Sequence, residues 1–419
     1  MSTGMIVHSK MERCADVIVV GGGPCGSFAA LNLVKLGAEG VMVFEEHGEI
    51  GVPCHCAGHL SIKSLKILGL YPLPGKIVEN VFYGANFYSP SGKNFLVRFP
   101  FPVTCAVNRV LFDRYIADIA EAAGVSYCLN SRVESLVIED GFVKGVNAKQ
   151  DGCFEKKCLS NVVIDAEGVS SRILRQTGLA TFNRNGIVYG VQAEIEGVKD
   201  IESDVVEVYL GHEYAPGFFA WLFPKRDGRA KVGLAAKTGN PKKHLERFMF
   251  KHPVASKKLR TAKILQAAFH PLTLGGPIGK AYSNGFLAVG DAASQVKPTT
   301  GGGVVLGLTC ARVAAEVVYE ALQRGDFSAN FLSQYQRRFM KMLGFDFSVM
   351  LRIRRLLDKL SDDQLDSVVN LCVKFHLEKS VRNFGDIDFQ GQTLLKAVKS
   401  PRFLLAAIHF LYLYLSANS

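Results

Sequence analysis

No Cys-x-x-Cys pair occurs in the 419 residues, and of the ten cysteines only Cys54 and Cys56 stand close together. No second Cys/His pair has ligand spacing, which argues against a zinc centre, and no metal is expected. Residues 1–15 lack the apolar stretch of a secretory leader. Scattered thiols without a leader fit a reducing, cytoplasmic setting. There is no long Lys/Arg block, although 49 Lys+Arg against 38 Asp+Glu give a formal net charge of +11. Nucleic acid is therefore not the expected partner. The basic surplus suits an acidic membrane surface or a phosphorylated substrate. No apolar run is long enough to span a bilayer: the longest, Phe403 to Leu415, gives about 20 Å of helix against a hydrocarbon core of about 30 Å. It reads either as a buried terminal helix or as a membrane-surface anchor. Internal repeats and low-complexity segments are absent, and Trp221 is the only tryptophan.

What is present is an apolar chain with two glycine-rich turns. Hydrophobic residues make up 48% of it, which calls for a large core or a greasy site. Residues 16–20 read as a buried strand, Pro24 to Leu36 as a helix and Val41 to Glu45 as the next strand, a β-α-β start. Leu60–Leu68 and Val110–Ala123 read as helices. Ser131–Ile138, Phe142–Ala148 and Val162–Ala166 read as strands. Residues 79–99 and 187–235, with Val205–Leu210, Phe218–Phe223 and Ala230–Ala235, point to an antiparallel sheet inserted in the parallel domain. A small-residue helix follows from about Gly303 to Leu322, and residues 326–419 look helical. Basic side chains crowd Arg337, Arg338, Lys341, Arg352, Arg354, Arg355 and Lys359, which reads either as a solvated face, the commoner case, or, beside a greasy terminal helix, as a seat on anionic lipid.

Three segments carry the chemistry. Gly21-x-Gly23-x-x-Gly26 follows a strand and opens a helix. The first glycine permits the tight turn, the second lets backbone approach a pyrophosphate, and the third lets helix pack on strand. Glu45 ends the next strand about 20 residues on, where a carboxylate accepts from a ribose 2′-OH. The run Val163-Ile164-Asp165-Ala166-Glu167-Gly168 repeats the pattern of strand into acid and glycine. Phe286–Val289 runs into Gly290-Asp291, then Gly301-Gly302-Gly303. There Asp291 suits sugar or ribityl hydroxyls, and the amides of Gly302, Gly303 and Val304 suit a phosphate or an electron-rich ring. No second G-x-G-x-x-G stands in a β-α-β context, so no dedicated nicotinamide domain is expected.

These segments together resemble the FAD-binding fold of the para-hydroxybenzoate hydroxylase type. Narrower marks resemble the geranylgeranyl reductase family, archaeal phospholipid members above all. Glu49-Ile50-Gly51-Val52-Pro53-Cys54-His55-Cys56-Ala57-Gly58 looks like the family's E-I-G-x-P-V-x-C-A-E-G loop. Pro216 to Pro224 looks like its P-x-x-Y-x-W-x-F-P motif, and Gly275-Gly276-Pro277-Ile278 like the segment before the Gly-Asp turn. The chain departs from the pattern at Phe219 (tyrosine in the motif), at Gly58-His59 where the family has Glu-Gly, at Glu167 (Asp in relatives), and at Gly233-Leu234-Ala235 (G-x-G).

The resemblance implies an α/β fold whose Rossmann-like FAD-binding domain comprises 14–60, 100–178 and 275–325. An antiparallel substrate-binding sheet would comprise 61–99 and 179–274, with a helical region at 326–419. It implies FAD contacts at Gly26, Glu45, Cys56, Ala57, Arg109, Val133, Asp291, Gly303 and Val304, with Arg109 as a fork donor to the pyrophosphate. Phe219, Trp221, Phe223 and Pro224 would line an apolar tunnel for a polyprenyl chain, with Cys56 and Trp221 as catalytic candidates. His55 and His59 flank Cys56 and are candidates to tune it or supply a proton. The implied activity is FAD-dependent saturation of C=C bonds in the geranylgeranyl chains of isoprenoid ether phospholipids. Electrons would come from an external donor such as ferredoxin or NAD(P)H, with peripheral contact to an anionic membrane. The same fold carries flavin monooxygenases and halogenases. Phe219-x-Trp221-x-Phe223-Pro224 stands where a halogenase has W-x-W-x-I-P. A non-catalytic flavin- and lipid-binding protein is the third reading.

Overall fold

The structure, a computed structural model, describes residues 14–152, 154–379, 388–397 and 399–416. The first thirteen residues, on which most of the leader reading rests, lie outside them. The first sheet has the order β18 (Tyr282–Ser283), β19 (Phe286–Ala288), β12 (Val162–Asp165), β1 (Val17–Val20), β2 (Val41–Phe44) and β8 (Ser126–Cys128). It is parallel except at the β18 edge. All four residues of β1 are buried, as a parallel strand covered on both faces requires. Helix α1 (Pro24–Lys35) starts with proline at its first turn, where the missing N–H costs nothing. It packs against α3 (Arg109–Ala122) and α7 (Val304–Arg324).

A seven-stranded sheet stands beside this domain in the order β17 (Lys263–Thr273), β13 (Ile187–Glu196), β16 (Ala230–Ala236), β15 (Phe219–Pro224), β14 (Val205–Leu210), β5 (Gly84–Tyr88) and β6 (Asn94–Arg98). It is antiparallel except between β14 and β5, which run parallel. These two come from separate excursions of the chain, so no hairpin fixes their sense. A three-stranded sheet of β3 (His59–Ser61), β7 (Thr104–Val107) and β4 (Val78–Phe82) joins the two parts, and β9 (Ser131–Glu139), β10 (Phe142–Gln150) and β11 (Phe154–Leu159) form another. Sequence reading passed over β17. It is an edge strand whose Ile264, Leu265 and Phe269 are exposed, so its apolar residues do not alternate. It also passed over α5 (Pro241–Lys251) and α6 (Ala255–Leu259), which cover the back of the large sheet through Leu245, Phe248 and Leu259.

The remaining helices are α2 (Ile62–Ile67), α4 (Arg172–Gln176), α8 (Ala329–Leu357), α9 (Asp362–Lys374), α10 (Gln390–Ala397) and α11 (Pro401–Ser416). Phe331, Tyr335, Phe339, Leu343 and Phe347 recur every four residues along α8 and are buried in the core of the first domain. Two members of the basic face are structural rather than free. Arg338 pairs with both oxygens of Glu320 at 2.7 Å, and the buried Arg354 pairs with Asp358 at 2.6 Å. In α11, Phe403 and Ala406 pack with Val369 of α9 and Val97 of β6, whereas Leu404, Leu405 and Ile408 are exposed. Within the greasy run, the side chains at 407 and 410–415 lie outside the described residues. Among described residues no helix is long and apolar enough to cross a membrane.

Candidate functional site

Helices α3, α5, α8 and α9 are capped at their N-termini by the side chains of Asn108, Asn240, Ser328 and Ser361. Helices α1 and α7 have no such cap: they open from Gly23 and Gly303. Their first N–H groups lack helical partners and carry partial positive charge. Both termini open into one cavity of ≈ 980 Å³. A Cβ at Gly23 would meet nothing within 4 Å, so the turn leaves room for a ligand against bare backbone. Two uncapped helix ends on one cavity fit a long cofactor with phosphates and hydroxyls, as FAD is.

The glycine and acid positions divide by role. Gly21, Gly23, Gly302, Gly303 and Val304 line the cavity, but Gly26 does not. A Cβ there would lie 2.0 Å from the Gly21 carbonyl oxygen, so Gly26 serves close helix–strand packing. Glu45 accepts from the Gly22 amide at 2.8 Å and faces His47 Nδ1 at 2.6 Å. Val133 lines the cavity, and its carbonyl accepts from Arg172 Nη2 at 2.7 Å. Arg109 also lines the cavity; its Nε and Nη2 donate to Asp113 at 3.0 and 2.9 Å, which fixes the guanidinium in place and leaves Nη1 outside that pair. Burial opposes the guanidinium charge, but Asp113 outweighs it and holds Arg109 firmly cationic.

Asp291 sits in the one-turn helix Gly290–Ala293 at the mouth of α7. This turn is braced from below. The Gly290 amide donates to Gln295 Oε1 at 2.8 Å, Gln295 Nε2 donates to the Tyr335 hydroxyl at 2.6 Å, and that hydroxyl donates to the Ala288 carbonyl at 3.0 Å. Gln295 and Tyr335 are wholly buried.

The Cys56 loop closes over the same cavity. The Gly58 amide donates to Cys56 Sγ at 3.5 Å, and the Ala57 carbonyl accepts from Lys231 Nζ at 3.0 Å. Lys231 is anchored to Glu79 at 2.6 Å, so the large sheet fixes the loop. The two flanking histidines separate in role. His59 lines the cavity, its Nε2 lies 2.7 Å from Thr104 Oγ1, and its ring packs near Phe82 and Phe223. Burial, helped by the Lys297 ammonium, pushes it down to about 4, so it is neutral at pH 7. His55 stacks on His270 of β17, centroids 5.3 Å apart and planes within 9°. His270 Nε2 in turn lies 4.0 Å from Asp291 Oδ2.

The aromatic strand supplies the apolar wall. Phe219, Trp221 and Phe223 line the cavity, whereas Pro224 does not. Side chains alternate along a strand, so Pro224 falls on the opposite face with Ala220 and Leu222; its carbonyl accepts from Asn80 at 2.9 Å. Trp221 Nε1 is buried without a partner. Its indole lies on Gly233, where a Cβ would come within 2.5 Å of Trp221 Cζ2. Gly233→Ala is expected to displace the indole at a cost of about 1–3 kcal/mol. Since Trp221 is the sole tryptophan, its fluorescence reports this directly; an unchanged emission spectrum together with wild-type stability contradicts the packing described.

Sequence reading missed His270, Lys231 and the buried pair Lys297–Asp388, 2.6 Å apart at the cavity wall. None stands in a local pattern: each partner is brought in by sheet pairing or by the late helices.

Residues 16–181 match the family described as FAD dependent oxidoreductase, and residues 187–269 match the geranylgeranyl reductase catalytic domain. The chain is 36% identical to digeranylgeranylglycerophospholipid reductase 2 of Methanothermobacter thermautotrophicus, over 84% of this chain and 90% of the relative. It is 35% identical to digeranylgeranylglycerophospholipid reductase of Methanocaldococcus jannaschii, over 86% and 90%. A solved geranylgeranyl bacteriochlorophyll reductase-like protein of Thermoplasma acidophilum superposes with a TM-score of 0.85 at 27% identity, covering 96% of this chain and 99% of that one. A flavin-dependent brominase superposes at 0.70 with 18% identity, which shows the shared fold alone. With its paired glycine turns, Cys56 loop and aromatic strand in one cavity, the chain belongs to the geranylgeranyl reductase family of flavoproteins.

Proposed function

We propose that the protein is an FAD-dependent reductase that saturates C=C bonds in the geranylgeranyl chains of an isoprenoid ether phospholipid. The observation that carries this is the single cavity in which two uncapped glycine turns meet the Phe219–Trp221–Phe223 wall. Glu45, the α1 turn and Val133 would hold the adenosine and pyrophosphate half of FAD. Asp291, Gly302, Gly303 and Val304 would hold the ribityl and ring half. Bound FAD, once reduced by an external donor such as ferredoxin or NAD(P)H, supplies the hydride equivalent that an isolated alkene needs. Burial of each CH₂ of the chain stabilises it by about 0.8 kcal/mol, so an apolar wall selects a polyprenyl substrate.

His270, whose Nε2 lies 4.0 Å from Asp291 Oδ2 and whose ring stacks on His55, is placed where it would pass a proton to the chain. His59, neutral above about pH 4, offers no acidic imidazolium proton at pH 7. The indole and phenylalanine faces favour the carbon on which positive charge develops. Cys56, tied through Ala57 to Lys231, would set how far the chain can advance along the cavity.

Anaerobic incubation of dithionite-reduced protein with the unsaturated diether phospholipid tests the reading. The expected product carries two added hydrogens per bond saturated. Oxygen uptake coupled to substrate would instead support a monooxygenase, and flavin that no prenyl lipid reoxidises would support a binding protein. Cys56→Ser is expected to retain FAD and change the distribution of partly reduced lipids; an unchanged distribution makes Cys56 structural.

A further inference from the structure

Helix α10 fills the space between α2 and the middle of α8. Its first turn is held from α8, where the buried Asp346 accepts from the Gly391 and Gln392 amides at 2.7 and 3.1 Å. Gly391 also lies against the Phe345 ring. On the other side, Lys63 and Ile67 of α2 meet Gln392, Thr393 and Lys396 around a surface depression of ≈ 200 Å³. Across the outer side of these helices, Ile67, Phe345 and Leu395 are 52%, 47% and 57% exposed. Exposed Lys63, Lys66, Lys341 and Lys396 stand among them. Asp346 is the only carboxylate in 62–67, 337–357 and 390–397, and it points inward. Thr393 borders both the surface depression and the central cavity.

We infer that the face built from α2, α10 and the Lys341–Phe345 segment of α8 docks on an anionic lipid bilayer, with Thr393 beside the route by which an apolar chain passes from bilayer to cavity. Among the described residues of these segments the exposed charge is positive, which complements anionic headgroups and adds attraction with lysines near the surface. The exposed apolar side chains between the lysines reach the acyl boundary as those of an interfacial helix do. The route to the cavity rests on the polyprenyl-reductase reading; the docking itself does not.

The test is sedimentation of the full-length, FAD-loaded protein with phosphatidylglycerol vesicles and with phosphatidylcholine vesicles, at low and high salt. Binding to the anionic vesicles that falls steeply with salt is expected. Lys341→Glu/Lys396→Glu should weaken it about tenfold or more, and Leu395→Ser should weaken it without changing the salt dependence. The charge-reversal variant should keep wild-type turnover on detergent-dispersed substrate. Equal binding to both vesicle types, or unaltered binding by the double variant, overturns the proposal. So does loss of turnover with a soluble redox protein when no lipid surface is present, which would assign the face to that partner. Vesicle binding is read without catalysis, so it stands or falls separately from the activity.

Discussion

Asp291→Ala is expected to purify colourless, or to lose its flavin on dilution, while wild-type protein stays yellow. The carboxylate lies at the N-terminus of α7 beside Gly303, where a Cβ would come within 2.9 Å of its Oδ1. Backbone amides and an acceptor for hydroxyls are thus packed into one turn. Hydrogen bonds to a charged acceptor contribute about 1.5–3 kcal/mol each, so loss of one weakens flavin binding by roughly 10- to 150-fold. The turn itself should survive, because Gln295 and Tyr335 hold Gly290 independently of the carboxylate. Flavin fluorescence released on denaturation gives the occupancy, and circular dichroism reports the fold. Stoichiometric FAD in a folded Asp291→Ala protein removes Asp291 from the cofactor site.

The second large effect is on stability. Asp388 is 1% exposed and its Oδ1 accepts from Lys297 Nζ at 2.6 Å; Ser64 donates to its other oxygen. Removing one member of a buried pair leaves an uncompensated charge and costs about 3–5 kcal/mol. Asp388→Ala should therefore unfold at a markedly lower temperature. Lys297→Met/Asp388→Leu should recover most of the loss, since two apolar groups leave no charge stranded. Burial works against the Asp388 carboxylate, but Lys297 and the hydroxyl donors outweigh it and hold the carboxyl below its ordinary value. A depressed folded-state value stabilises the protein above the unfolded-state value, near pH 4. This contribution disappears as pH falls through the folded-state value. Wild type should accordingly lose its advantage over the double variant in acid. An Asp388→Ala protein as stable as wild type at pH 7 contradicts this account.

Local pattern made much of the fold legible. Val17–Val20 into Gly21 and Val163–Asp165 into Glu167 each carry strand, turn and acid within a few residues. The aromatic strand was legible too, although strand alternation separates Pro224 from its neighbours. What was not legible depends on distant chain. His270 gains its place because β17 pairs with β13, which brings it towards a loop more than 200 residues earlier. The ion pair that orients Arg109 was not legible either, because its i+4 partner, Asp113, reads locally as one more helix residue. Lys297 and Asp388 have no sequence relation at all: the segment leading into α10 makes the pair.

The brace from Tyr335 to the Asp291 turn sets an order of events during synthesis. Both glycine turns and the whole aromatic sheet leave the ribosome before α8 does. Yet the Gly-Asp turn rests on a hydroxyl that belongs to α8, and α8 is itself seated by a stripe ending at Phe347. The cofactor cradle is therefore finished late, after most of the polypeptide has emerged. A nascent chain arrested before that point would expose a complete dinucleotide turn at one end of the cavity and an unsupported one at the other.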